Sequence, residues 1–61
     1  MPQTTMLDKI GFGTHFKLTQ HSPYAYTIVR RGKNEKDGRD IFLIERVRTG
    51  FQKWVFNKRV Y

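Results

Sequence analysis

The sequence predicts a mostly β domain of four to five antiparallel strands bent into a small barrel. Three observations carry this. Apolar and polar residues alternate with the two-residue period of a strand, the apolar runs are rich in aromatic and β-branched side chains, and Gly, Pro or Asp-Gly turn residues bound each run. The 61 residues allow one domain. Bending the sheet on itself removes most of the open edge that would otherwise invite aggregation.

Residues 1–10 read as a loose leader, polar and without clear period, and the barrel is assigned to residues 11–61. The first strand is expected over Gly13 to Thr19, where Phe16 and Leu18 alternate with His15, Lys17 and Thr19. Pro23 lacks an amide hydrogen and restricts Ser22 before it, so the run breaks there. The second strand covers Tyr24 to Arg31, with Tyr24, Tyr26 and Ile28 on one face and Ala25, Thr27 and Val29 on the other. Gly32 to Arg39 is then a long, solvated hairpin loop, and Asp37-Gly38 supplies its turn.

The third strand is expected from Asp40 to Arg48. Its first half, Ile41 to Ile44, is apolar at every position, which suggests cover on both faces. A short helix would give the same run, but the flanking turns at Asp37-Gly38 and Thr49-Gly50 favour a strand. Phe51 to Tyr61 follows the tight Thr-Gly connection and should pair antiparallel with the third strand. Trp54 and Phe56 share one parity and are expected to face inward together, with Lys53 and Val55 on the other side. Tyr61 is expected to be docked.

This layout resembles the SH3-like barrels over residues 11–61: a Gly-Thr-x-Phe-x-Leu opening strand, a long charged hairpin, then a tight hairpin ending in an aromatic strand. An OB-like barrel fits the same pattern, and a three-stranded sheet carrying a helix is the rival architecture. Lys36-Asp37-Gly38-Arg39 followed by two aromatic strands is also similar to the three-stranded DNA-binding sheet in the N-terminal arm of some tyrosine recombinases. That resemblance implies a helix behind the sheet, whereas the run from Phe51 to Tyr61 is expected to be strand.

Composition narrows the function. So small a domain buries only about 60% of the surface its unfolded chain exposes. There is no cysteine, so disulfides and thiolate metal sites are excluded. A packed aromatic core, a homodimer or the ligand itself must supply the stability. The 15% aromatic content makes the first of these workable. No apolar stretch approaches a membrane span, and the N-terminus has no secretory pattern, so a cytoplasmic protein with no membrane partner is expected.

Catalysis is not expected. The one serine, Ser22, sits in a turn, and Glu35, Asp37 and Asp40 lie among cations that hold carboxylates ionised rather than raising a pKa for acid–base work. His15 and His21 have no supporting ligands at metal spacing, and Gly11-Phe12-Gly13 lacks the spacing of a phosphate loop. No catalytic residue, metal or cofactor is assigned.

The cations look more purposeful. Twelve Lys and Arg against five Asp and Glu give a net charge of +7 and a pI near 10.3. A field of that sign attracts polyanions, although part of it serves solubility. Arg30, Arg31, Lys33, Lys36 and Arg39 surround the long hairpin; Arg46 and Arg48 share a parity near the tight turn; Lys53, Lys58 and Arg59 lie on the last run. A hairpin with basic side chains from both strands suits a nucleic-acid groove or a single strand tracked along a sheet. Phe51 and Tyr24, beside turns, are the candidate base-stacking rings. The expected function is therefore non-catalytic binding of nucleic acid, DNA or RNA. The alternative is a protein-interaction module, of a phage or mobile-element kind, docking its basic face on an acidic protein.

Overall fold

The computed structural model describes residues 3–61. In chain order these form β1 (Thr5–Met6), a 3-10 turn (Leu7–Lys9), β2 (Tyr26–Lys33), β3 (Asp40–Arg46), β4 (Gln52–Phe56) and β5 (Arg59–Val60). All pairings are antiparallel. Strands β2, β3 and β4 make a three-stranded meander, and β1 pairs with β5 in a separate two-stranded sheet. The mostly β class is as expected, but the two sheets do not close into a barrel.

The meander follows from its turn chemistry. Gly38 adopts a φ of +72°, which a side chain would resist, and its N–H bonds the carbonyl of Asn34 at 2.8 Å. Asn34 Oδ1 accepts from the N–H of Lys36, and Asp37 Oδ1 from the N–H of Arg39, so the loop is pinned by its own side chains. At the tight turn Gly50 takes the same left-handed geometry, with its N–H on the carbonyl of Arg46.

Pleating then sorts the residues. Phe42 and Ile44 are buried on the inner face of β3, with Ile44 opposite Ile28 of β2, and Tyr26 of β2 is buried on the same face. Leu7, Ile10, Phe16 and Val60 complete this core, and Leu18 and Val55 pack at its margin. The cover over the inner face is therefore the N-terminal third of the chain together with β5.

Five expectations are corrected here. The supposed leader is part of the fold: Thr5 and Met6 pair with Val60 and Arg59, and Leu7 and Ile10 are buried. Alternation failed to reveal it because the 3-10 turn places apolar residues three apart. The run from Gly13 to Thr19 is not a strand. Phe16 exchanges backbone bonds with Tyr26, and Lys17 with Tyr61, so the segment crosses from one sheet to the other and never meets one partner long enough to form a ladder. The last run is two strands. A bend at Asn57 and Lys58 divides it, held by the N–H of Leu7 on the Lys58 carbonyl at 2.9 Å and the N–H of Asp8 on Asn57 Oδ1 at 3.0 Å. That bend lets β5 leave the meander and bury Val60.

The fourth correction matters most for function. Trp54 and Phe56 do share a parity, but they face outward and are 50% and 41% exposed. Trp54 pairs with Leu43 and Phe56 with Ile41, the two β3 residues that the burial of Phe42 and Ile44 leaves on the other face. Nor is β3 sealed on both sides, since Ile41 and Leu43 are only half-buried.

If the N-terminal segment holds the core, Leu7→Ala should cost about 2–5 kcal/mol. That is comparable with the roughly 3–5 kcal/mol a core of this size supplies. Urea unfolding followed by far-ultraviolet circular dichroism should show most of the cooperative transition lost, while Met6→Ala, at a half-exposed position, leaves the midpoint nearly unchanged. An unchanged midpoint for Leu7→Ala would mean that the segment is not part of the core.

Candidate functional site

The outer face of the meander takes its shape from one irregularity. The register between β2 and β3 shifts between Ile28 and Arg30, with Val29 as the extra residue of a bulge. Before the bulge Tyr26 and Ile28 face inward. Beyond it the parity reverses, so Arg30 stands opposite Leu43 and Gly32 opposite Ile41, both on the outer face. Simple alternation would have aimed Arg30 inward with Ile28. The bulge delivers a cation and a glycine to the face that carries Trp54 and Phe56.

Gly32 matters through what it lacks. A Cβ on it would stand 3.5 Å from Cζ3 and 3.6 Å from Cη2 of Trp54. The indole therefore reaches from β4 across β3 to β2, lying over the sheet with its other side open to solvent. Beside it, the Arg39 guanidinium carbon lies 3.9 Å from the centroid of the Phe56 ring. Arg39 Nε also donates to Asp37 Oδ2 at 2.8 Å, and Lys33 pairs with Asp40 at 2.6 Å. Lys33, Gly38, Arg39, Asp40, Phe56 and Asn57 line an open pocket of about 310 Å³ at this end of the sheet.

A second cluster occupies the opposite end, on the inner-face side. The Arg46 guanidinium carbon lies 4.3 Å from the Tyr24 ring centroid, 5.6 Å from that of Phe51 and 5.8 Å from that of Tyr26, and it makes long hydrogen bonds to the Tyr26 hydroxyl. Phe51 and Tyr24 are exposed, as expected, yet their faces already hold Arg46. The assignment of Arg46 and Arg48 to one face is corrected as well: β3 ends at Arg46, and Arg48 lies in the turn, where strand parity no longer applies.

The ten candidate cations do not form one surface. Arg30 lies on the outer face, and Lys36 and Arg39 lie in the loop, with Arg39 over Phe56; Lys33, at the end of β2 opposite Asp40, shares the parity of Arg31. Arg31 turns to the other side, over the rings of Phe12 and Phe42, with long bonds to the carbonyls of Asp8 and Ile10. Lys53 lies on the inner parity of β4 near Tyr26. Lys58 sits at the bend and Arg59 on β5, both exposed. The rings that sequence reasoning missed are Trp54 and Phe56. The available signal was the unbroken run Ile41 to Ile44, half of which must face away from whichever side is the core.

Three acidic groups near the face are engaged, and Glu35, in the loop, is exposed. Asp37 and Asp40 are ion-paired, and Glu45 Oε1 accepts from Gln52 Nε2 at 2.9 Å. The Arg39 backbone N–H, assisted by its guanidinium, holds the Asp37 carboxyl below the usual carboxylate value. His15 and His21 are exposed, and no three metal-ligating side chains come together among the described residues. No helix among them is long and apolar enough to cross a membrane. Comparison with family models, curated proteins and solved structures gives no match.

Because its folded pKa is depressed, the bonds at Asp37 stabilise the loop above the unfolded carboxylate value, and that contribution is lost as the pH falls through the folded value. A carboxyl NMR titration should place its midpoint below that of an unstructured aspartate. Arg39→Ala should raise the midpoint only part of the way, since the backbone N–H remains. A midpoint at the ordinary value in the unaltered protein would contradict the loop geometry.

Proposed function

We propose that the chain is a non-catalytic nucleic-acid-binding protein and that the outer face of β2, β3 and β4 is its binding surface. The observation carrying this reading is the pairing of two exposed rings, Trp54 and Phe56, with Arg30 and Arg39 on one uncovered sheet face. A large apolar surface left open on a small protein marks a binding site. A net charge of +7 favours an anionic occupant. Nucleic acid offers both the flat rings and the phosphates that such a surface selects.

The SH3-like resemblance enters as architecture. Of the pattern assigned to residues 11–61, the long and the tight hairpin are present in the meander, the opening strand at Gly13 to Thr19 is not formed, and the two sheets are unclosed. A cytoplasmic setting and a phage or mobile-element origin remain part of the proposal, carried by composition and pattern alone. The alternative, docking on an acidic protein, is favoured by one observation: Ile41 and Leu43 add aliphatic surface between the cations, which an acidic peptide with apolar side chains could also use.

Fluorescence anisotropy with labelled DNA and RNA at a series of salt concentrations separates the two. Binding should weaken steeply with salt through counterion release. Arg30→Gln and Lys36→Gln should each weaken binding and lower the salt slope by about one, the signature of one lost phosphate contact. Absence of binding at low salt to every nucleic acid would overturn this reading and leave the acidic-protein one.

A further inference from the structure

We propose that the outer face takes an unpaired strand running along β4, with one base on Trp54, the next at Phe56, and phosphates held by Arg30 and Arg39. This rests on the nucleic-acid reading above and names the form of nucleic acid that the face selects.

Spacing is the first argument. Trp54 and Phe56 are two residues apart on one strand, which sets their Cα atoms about 6.8 Å apart along it, and the indole is carried further away across the sheet to Gly32 of β2, so the two rings are separate sites. Consecutive bases in a duplex strand rise by only about 3.4 Å. Two neighbouring bases can occupy the two ring sites only if the strand is drawn out of its stacked helix. An unpaired strand can be extended in this way, whereas a paired one would first have to break pairs and stacks.

Shape is the second. Duplex grooves are read by an element that protrudes into them, a helix or a two-stranded ribbon. Around Trp54 the outer face has no such element; the loop of the β2–β3 hairpin lies at its end. Gly32 has no side chain beneath the indole, and Ile41 and Leu43 are half-buried between the strands, so the surface offers flat rings rather than a wedge.

Charge is the third. Arg30 lies level with Trp54, opposite Leu43 and so two strands away, on the order of 10 Å at the usual strand separation. It can meet the backbone of a strand whose base sits on the indole. Arg39 lies on Phe56 and already shows that this ring accepts a flat cationic guest. The guanidinium presents a second flat face to a base, and Nε is its only atom bonded to a carboxylate among the described residues, which leaves the Nη groups for phosphate.

The protein carries one tryptophan, so its fluorescence reports this site alone. The test titrates full-length protein with a labelled twelve-nucleotide oligothymidylate and with a duplex of equal length, reading anisotropy and tryptophan emission together. The expected result is tighter binding of the single strand, with quenching of Trp54 that follows the anisotropy. Trp54→Ala should weaken single-strand binding roughly 5- to 150-fold, and Trp54→Phe should restore part of the loss. Circular dichroism confirms that each variant is folded, and the quenching of the unaltered protein stands without them. Binding with no quenching and no effect of Trp54→Ala would overturn the stacking site while leaving the nucleic-acid reading intact. Equal or tighter duplex binding would overturn selection of an unpaired strand. No binding of either probe would overturn both.

Discussion

The arrangement depends on the pleat of β3. Once Phe42 and Ile44 are sealed against the N-terminal segment and β5, Ile41 and Leu43 must lie on the opposite face, and antiparallel pairing brings Phe56 and Trp54 beside them. A chain of 61 residues has apolar cover for one face of a three-stranded sheet and not for two. Leu7, Ile10, Phe16 and Val60 are used on the inner face. The largest side chain in the protein is therefore left in water. Such exposure leaves apolar area unburied in a domain with little stability to spare, and it is the observation behind the proposed binding surface.

The bulge at Val29 brings a cation to that open face. It reverses the parity of β2 midway, placing Arg30 and Gly32 outward and sending Arg31 to the inner side. An unbulged β2 would set Arg31 under the indole in place of Gly32. The same stretch thus solves two problems: Tyr26 and Ile28 serve the core, and the residues beyond the bulge serve the surface. At the tight-turn end, Arg46 among Tyr24, Tyr26 and Phe51 uses its charge to organise aromatic side chains.

Strand content, the turns at Asp37-Gly38 and Thr49-Gly50, and the antiparallel hairpins were legible in the sequence because each rests on local chemistry: alternation, branched side chains and glycines that accept positive φ. Three features were not. Leu7 and Ile10 are spaced by a 3-10 turn, and nothing local marks a residue pair such as Thr5–Met6 as a strand when its partner lies at the far end of the chain. The shared parity of Trp54 and Phe56 was readable, but which parity faces the core depends on where the covering segment packs. A bulge has no strong sequence mark when the extra residue is a valine, so the orientation of Arg30 was hidden. The ten cations were identified as a set, while their division among a loop, a cage, an inner edge and a bend is set by tertiary structure.

The proposed seat of the ligand is the outer face of the meander, with Trp54 at its middle. Amide and indole NMR shifts of the nitrogen-15-labelled protein, followed during titration with an oligothymidylate, locate it residue by residue. The largest changes are expected at the Trp54 indole N–H and at the amides of Gly32, Leu43 and Phe56, with little at Thr5 and Met6. Changes centred instead on the turn from Arg46 to Gly50, or on β1 and β5, would contradict it.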